Sequence, residues 1–309
     1  MEAHSAKSVL LVRPACFGFN AEAAESNVFA HASADAEVQA EAVGEFEALA
    51  KRLSEAGVEV LVLDDTATPA KPDAVFPNNW FTTHADGTIV IYPMATAPRR
   101  LERRLEDVRG LVERNGFEIR RVVDLTSHEA QGRYLEGTGS LLLDRAKHRA
   151  FASLSQRTHA EAVADFDRQL GYSTFIFEAR DPRGRPIYHT NVLLSLGARF
   201  AVLCPDAVAP EHRAALVAEL ESNGRTIVEL SFEQLQSFGC NVLELQGRDG
   251  PVIAMSAKAL ANLRPDQVGA LEQFGGILAA DIPTIEAVGG GSVRCMIAEI
   301  HLPRGKKTR

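Results

Sequence analysis

Gly289-Gly290-Gly291-Ser292-Val293-Arg294-Cys295-Met296 is the most informative stretch of this 309-residue chain. Three consecutive glycines allow backbone angles and close approaches that residues with a side chain do not tolerate. One thiol follows them, at the mouth of the apolar run Cys295–Ile300, which reads as a strand. A cysteine presented from a glycine loop is placed for its thiolate to be favoured by backbone N–H dipoles and a nearby histidine. A phosphate-cradling loop would need a Gly-Lys-Ser/Thr ending and a helix behind it, and both are missing. Cys16, Cys204 and Cys240 have no such setting and read as buried structural thiols.

Outward from this loop, short Val/Ile/Leu/Phe runs alternate with helical patterns along the whole chain. Strands are expected at Ser8–Val12, Val58–Leu63, Thr88–Tyr92, Ser140–Leu143, Ala150–Leu154, Thr174–Phe177, Val192–Leu196, Phe200–Leu203, Asn241–Leu245 and Val252–Met255. Helices are expected at Ala36–Ala56, Pro98–Asn115, His159–Leu170, Pro210–Asn223 and Pro265–Phe274. In the first, Val38, Ala42, Phe46, Leu49 and Leu53 share one face, and Gly57 suits the helix end. Pro98, Pro210 and Pro265 fall in first turns, where a missing N–H costs nothing. A helix set among strands roughly every 50 residues hints at a repeated ββαβ unit. No Pro/Gly/Ser linker divides the chain, so one catalytic domain is expected over 1–309. Its ordered core is expected at about 8–303, ahead of the basic tail Arg304-Gly305-Lys306-Lys307-Thr308-Arg309.

Acidic residues outnumber basic ones 41 to 33, for a net charge of −8. That balance argues against sequence-independent nucleic-acid binding, which needs clustered Lys and Arg. With 46% hydrophobic and 24% charged residues, disordered and collagen-like classes are excluded. No apolar stretch nears the ~20 residues of a membrane helix, and the N-terminus lacks a signal-peptide pattern. Four cysteines are too few for a disulfide framework, so reduced thiols and a cytoplasmic location are expected. The absence of Cys-x-x-Cys and His-x-x-x-His spacings gives no expectation of a metal.

A cysteine nucleophile needs a proton carrier and a group to orient it. Of nine histidines, His31, His84, His128, His148, His159 and His212 fall in polar turns or helices and are expected at the surface, while His4 and His301 lie near the ends. His189 differs. It follows Arg185-Pro186-Ile187-Tyr188 and opens Thr190-Asn191-Val192-Leu193-Leu194, a strand mouth of the kind where α/β sites form. Leu135-Glu136-Gly137-Thr138-Gly139 sets a carboxylate before a glycine turn. Pro72-Asp73-Ala74-Val75-Phe76-Pro77-Asn78-Asn79-Trp80-Phe81 packs an acid, two amides and the single Trp into an apolar frame. Taken alone, Glu136 reads equally as a solvated turn acid, and Asn78-Asn79 as ordinary turn chemistry.

In this order, the four segments resemble the guanidine-modifying superfamily of arginine deiminases, dimethylarginine hydrolases and amidinotransferases. The resemblance runs from about Val9 to Pro303, and Gly-Gly-Gly-x-x-Arg-Cys-Met is its most specific element. It implies an α/β fold, a five-bladed propeller of ββαβ units (pentein-like) around a central active site. It also implies roles: Cys295 as nucleophile, His189 as general acid/base, and Glu136 as the carboxylate that orients the histidine. Asp73, Asn79 and Asn191 match positions that grip the planar head of the substrate. Arg99 and Arg157 match arginines that hold an α-carboxylate, with Arg100 one residue away as an alternative to Arg99. A bidentate guanidinium–carboxylate contact makes physical sense of both. Without the resemblance, Arg99 and Arg100 read equally as a charged helix face shared with Arg103 and Arg104.

The sequence departs from the arginine deiminase pattern at Asn79 and Asn191, where those enzymes carry Asp. A guanidinium head is cationic, offers only donors and suits carboxylates; a ureido head is neutral and has a carbonyl that wants a donor. Two amides therefore point towards citrulline, and the chain most resembles the citrulline-hydrolysing branch. Asp73 and Glu136 remain acidic, so arginine and dimethylarginine stay open as substrates, as do amidinotransfer and a non-catalytic binding propeller. The implied mechanism is attack of the Cys295 thiolate on the ureido carbon, with protonated His189 giving its proton to the leaving amine. The carbamoyl thioester is then hydrolysed to carbamate, and finally to carbon dioxide and ammonia. No cofactor is needed. The expected partner is a small amino-acid substrate, with no nucleic acid and no membrane, and a homo-oligomer is compatible with the sequence.

Overall fold

A helix with one apolar face needs a sheet to cover it, and the alternation in this sequence distributes the two evenly. The computed structural model describes residues 4–33 and 37–305. Its strands are β1 (Ser8–Arg13), β2 (Glu59–Asp64), β3 (Phe81–Thr83), β4 (Thr88–Ile91), β5 (Arg121–Asp124), β6 (Leu142–Asp144), β7 (Arg149–Leu154), β8 (Ser173–Glu178), β9 (Leu194–Leu196), β10 (Phe200–Leu203), β11 (Thr226–Glu229), β12 (Leu243–Gln246), β13 (Pro251–Ser256), β14 (Gly276–Ala280) and β15 (Ala298–Ile300). They form five three-stranded sheets, ordered 15-1-2, 3-4-5, 6-7-8, 9-10-11 and 12-13-14.

Every sheet has the same construction. A short strand runs antiparallel to the middle one, and the third strand runs parallel to it. Parallel neighbours require a crossover, usually helical. Here Val38–Glu55, Leu105–Arg114, Ala160–Leu170, Pro210–Ser222 and Pro265–Glu272 supply it. The last strand closes the first sheet, with Ser8 opposite Ile300. Contacts of β15 with β3, β6 with β9 and β9 with β12 set the short strands on the inside. The expected ββαβ repeat is present five times over.

The middle strands are buried and legible; Leu10, Leu11, Phe151 and Val202 are fully covered. The outer strands β5, β11 and β14 were not expected, because residues such as Arg121, Asp124, Thr226 and Glu229 face solvent and the apolar pattern is too short. The three-residue β3 escaped for its length. The single helix expected over Pro98–Asn115 is two, Ala97–Arg100 and Leu105–Arg114. Between them Glu102 turns inward to bind Arg99, while Arg104 reaches Asp107 and the Asp64 carbonyl. Arg99 is therefore 3% exposed, and the solvated arginine face does not form.

The strands expected from Ser140, Val192, Asn241 and Cys295 begin two or three residues late. Their first residues form short turns instead, at Gly137–Ser140, Thr190–Val192 and Val293–Met296 for three of them. His84 and His128, expected at the surface, are buried: His84 bonds Thr82 and meets Tyr172 edge-on, and His128 pairs with Asp165 at 2.9 Å. At the C-terminal end, the Arg304 guanidinium packs over the Phe117 ring. Ala36 of the expected first helix and 306–309 of the expected tail lie outside the described residues.

Candidate active site

The turns that precede the five inner strands each carry a polar side chain, and these side chains meet. Asn79 ends Pro77–Asn79 ahead of β3, and Glu136 caps Gly137–Ser140 ahead of β6. His189 caps Thr190–Val192, which holds Asn191, ahead of β9. Asn241 stands before β12, and Cys295 lies in Val293–Met296 before β15. Asp73, Asn79, Arg99, Arg157, His189 and Cys295 line one void of about 20 Å³. Arg100 stays outside the void, donating to the Met94 and Ala95 carbonyls, while Arg99 lines it with its guanidinium already committed to Glu102 and Asn79.

His189 and Glu136 form the best-defined pair, Nε2 to Oε2 at 2.8 Å. Burial alone would raise the Glu136 carboxyl, but Arg157 and the His189 hydrogen bond hold it well below the usual carboxylate range. Burial pushes His189 down to about 4 against the opposing pull of Glu136. The pair is thus a carboxylate and a neutral imidazole, with Nε2–H donating and Nδ1 left as the basic nitrogen. Gly139 lies against that edge; a Cβ there would sit 2.7 Å from Nδ1 and 2.5 Å from Asn79 Nδ2. Burial thus disfavours the imidazolium at His189, while the Glu136 carboxylate favours it.

His189 is one of four buried histidines whose charged form is disfavoured. Burial also holds His301 at about 4 and lowers His84 and His4. The unfolded chain takes up these protons below about pH 6.5 while the folded chain does not, so stability present above that pH is lost on acidification. A histidine held at about 4 contributes on the order of 3 kcal/mol to this loss by pH 4. The carboxyls that burial raises, Glu102 to about 7 together with Asp73, Glu45 and Glu286, act in the opposite direction and offset part of this loss. Urea titrations at pH 7.5, 6 and 5 should therefore give steadily falling midpoints. A flat profile would mean that the buried histidines do not dominate the acid response of the fold.

Arg99 decides how Asn79 is turned. Its Nε and Nη2 donate to the two Glu102 oxygens, each at 2.9 Å, and Nη1 donates to Asn79 Oδ1 at 2.9 Å. A guanidinium only donates, so Asn79 must present its oxygen to Arg99 and its NH₂ to the side where Gly139 lies. That Nδ2 has no partner, and neither has the buried Oδ1 of Asn191, whose Nδ2 donates to Cys295 Sγ at 3.4 Å. Asp73 accepts from Asn20 Nδ2 at 2.7 Å and lies 3.8 Å from Arg99. Burial raises its carboxyl, opposed by Arg99 and Asn20.

Arg157 holds the segment Asn20–Ala30 over the site. It donates to the Ala23 carbonyl at 2.6 Å, to Ser26 Oγ and to Glu136. Asn27 Nδ2 bonds the Gly290 carbonyl at 3.1 Å. Gly290, at φ +65°, would drive a Cβ to 2.6 Å from Ala30 N, so the glycine run is pressed against this cover. A void of about 20 Å³ holds roughly one water.

Burial pushes the Cys204 thiol up to about 11 and Cys240 well above the ordinary thiol range, which suits structural cysteines. Cys295 instead accepts hydrogen bonds from two amides, Asn191 and Asn241. Asn241 was not anticipated, since nothing in Cys240-Asn241-Val242 marks it; only the equivalence of the five turns could have found it.

The profile described as N,N dimethylarginine dimethylhydrolase, eukaryotic, matches residues 13–302. The chain belongs to this family. Among solved structures, this dimethylarginine dimethylhydrolase family member is similar to a substrate-bound mutant of the N-terminal domain of ArgZ, an arginine dihydrolase from the ornithine–ammonia cycle in cyanobacteria. The TM-score is 0.74 at 17% identity, covering 95% of this chain and 97% of that domain. Against unliganded ArgZ the match covers 98% of this chain but 42% of that one, at a TM-score of 0.73 and 17% identity. A dimethylarginine dimethylaminohydrolase adduct with 4-chloro-2-hydroxymethylpyridine matches at TM-score 0.65 and 16% identity, over 96% of this chain and all of that one. No curated protein matches in sequence. The fold is that of the guanidine-modifying pentein superfamily, five mixed α/β sheets in a propeller-like ring.

Proposed function

We propose that this family member is a cysteine-dependent hydrolase of the ureido C–N bond of citrulline, yielding ornithine, carbon dioxide and ammonia. The observation that carries this reading is Asn79, a residue of the void wall whose oxygen is taken by Arg99, leaving its NH₂ buried without a partner. A ureido oxygen accepts from that donor, while a ureido N–H can donate to the unpartnered Asn191 Oδ1. A guanidinium has nothing to offer Asn79 Nδ2. The nearby carboxylates are already matched, Glu136 by Arg157 and His189, and Glu102 by Arg99.

Cys295 passes its proton to His189 and attacks the ureido carbon; His189 then protonates the departing amine of ornithine. This leaves a carbamoyl thioester, which a water deprotonated by His189 hydrolyses, restoring the thiol and releasing carbamate, which yields carbon dioxide and ammonia. One water is consumed per turnover. Proton transfer by a placed His contributes about 10²–10⁴-fold. In this reading residues 1–309 act as one catalytic domain, in the cytoplasm and without a cofactor.

Cys295, His189 and Glu136 are catalytic; Asp73, Asn79 and Asn191 hold the head. Arg99 turns Asn79, and Arg157 takes the α-carboxylate once the cover has moved and freed its fork. Arg157→Lys keeps a charge opposite Glu136 but loses the planar fork. It should raise KM for an α-amino-acid substrate by about 10–100-fold, the equivalent of about 1.5–3 kcal/mol. A substrate lacking the carboxylate should be affected far less; equal weakening of both would make Arg157 purely a tie for the cover.

The second reading is hydrolysis of arginine or dimethylarginine, favoured by Asp73 in the wall of the void and by the family. Ammonia and amine release from citrulline, arginine and dimethylarginine, measured side by side, separates the two. Preference for citrulline is expected; preference for either guanidino compound overturns the ureido reading.

A further inference from the structure

We propose that Asn241 is a catalytic residue, the second of two amide donors that hold the Cys295 sulfur in its reactive state. It is 1% exposed, and its carboxamide is fully committed. Oδ1 accepts from the Arg294 backbone N–H at 3.1 Å. Nδ2 donates to Cys295 Sγ and to the Asn191 carbonyl, both at 3.3 Å. The Arg294 N–H can only donate, so the oxygen must face it and the NH₂ must face the sulfur. The orientation is therefore dictated by the backbone of the nucleophile turn itself.

The position recurs with the fold. Asn79, Glu136, His189–Asn191 and Cys295 occupy the turns ahead of β3, β6, β9 and β15, and Asn241 occupies the place ahead of β12. One carboxamide thus ties the His189–Asn191 turn to the Arg294–Cys295 turn and delivers a donor to the reacting atom. Donors favour sulfur when it carries negative charge and fix the direction of its lone pairs. Among the described residues, the donors hydrogen-bonded to Cys295 Sγ are these two neutral amides.

Asn241→Asp tests this with almost no change of shape. It keeps the acceptor for the Arg294 N–H and replaces the donor at sulfur by a carboxylate. The inference rests on Cys295 being the nucleophile, as in the proposed function, but not on which head group is attacked. Iodoacetamide alkylation of Cys295, followed by mass spectrometry on the full chain, reads it without any substrate. Asn241→Asp should be alkylated at least tenfold more slowly than wild type at pH 7, with the deficit narrowing as pH rises, which a merely structural lesion would not produce. Citrulline turnover should fall in kcat with KM little changed. Should Asn241→Asp fail to fold, Asn241→Ala carries the same test with a slowing of about threefold.

An alkylation rate equal to wild type in the folded variant overturns the proposal. So does a wild-type Cys295 that reacts no faster than Cys16. If wild type leaves citrulline untouched while Asn241→Asp still slows alkylation, the proposed substrate falls and the role of Asn241 stands.

Discussion

Replacing Cys295 by alanine is expected to lower turnover by about 10⁴-fold or more, because under the proposed mechanism it removes the nucleophile and with it the covalent route. The fold should survive. Cys295 is 6% exposed and packs among Phe76, Val293 and Met296, where a methyl group is tolerated. The cost is two amide donors, on Asn191 and Asn241, left without their sulfur acceptor. A buried donor without a partner costs about 1–3 kcal/mol, so a modest drop in Tm should accompany the loss of activity. Rates are to be compared at equal folded fraction. A Cys295→Ala protein that keeps a tenth of wild-type turnover would falsify the nucleophile assignment. In wild type, Cys295 should also react with iodoacetamide well ahead of Cys204 and Cys240, whose thiols burial pushes up.

Much of this site is legible in the sequence because its chemistry is local. Glycine before Cys295, glycine after Glu136 and a strand after His189 are short-range signals, and each marks a turn that ends at the centre of the ring. The crossover helices are legible for the same reason, since an apolar face three or four residues apart needs no knowledge of the partner. Charge states are not local. Whether His189 rests protonated depends on how completely the ring of sheets excludes water from Glu136, and no spacing encodes that. Arg99 shows the same limit: its helix reads as a solvated face until Glu102, three residues on, is drawn inside with it. Asn241 is the extreme case. Its three partners lie 50 or more positions away in the chain, and only folding brings them to it.

The substrate head offers the other large expected effect. Changing both Asn79 and Asn191 to Asp should shift the ratio of kcat/KM values for citrulline and arginine towards arginine by about 100-fold, roughly 2.7 kcal/mol for the pair. At position 79 the change keeps the acceptor that Arg99 needs but deletes the unpartnered N–H that the proposal assigns to the ureido oxygen. A ureido oxygen then meets a carboxylate instead of a donor, whereas a guanidinium gains an anionic partner. At position 191 the new carboxylate would lie where an amide now donates to Cys295 Sγ at 3.4 Å. With citrulline bound, nothing neutralises that charge beside the nucleophile. With arginine bound, the cationic head lies between the two anions and offsets their repulsion, so attraction to one substrate and penalty against the other work in the same direction. The two sites flank one planar group, so their effects should couple, and each single change should move the ratio by less than half of the combined shift in free energy. Steady-state kinetics of wild type, both single variants and the double variant on both substrates measure the whole cycle. If the double variant prefers citrulline more strongly than wild type does, the amides serve the nucleophile and not the head, and substrate choice must be sought at Asp73.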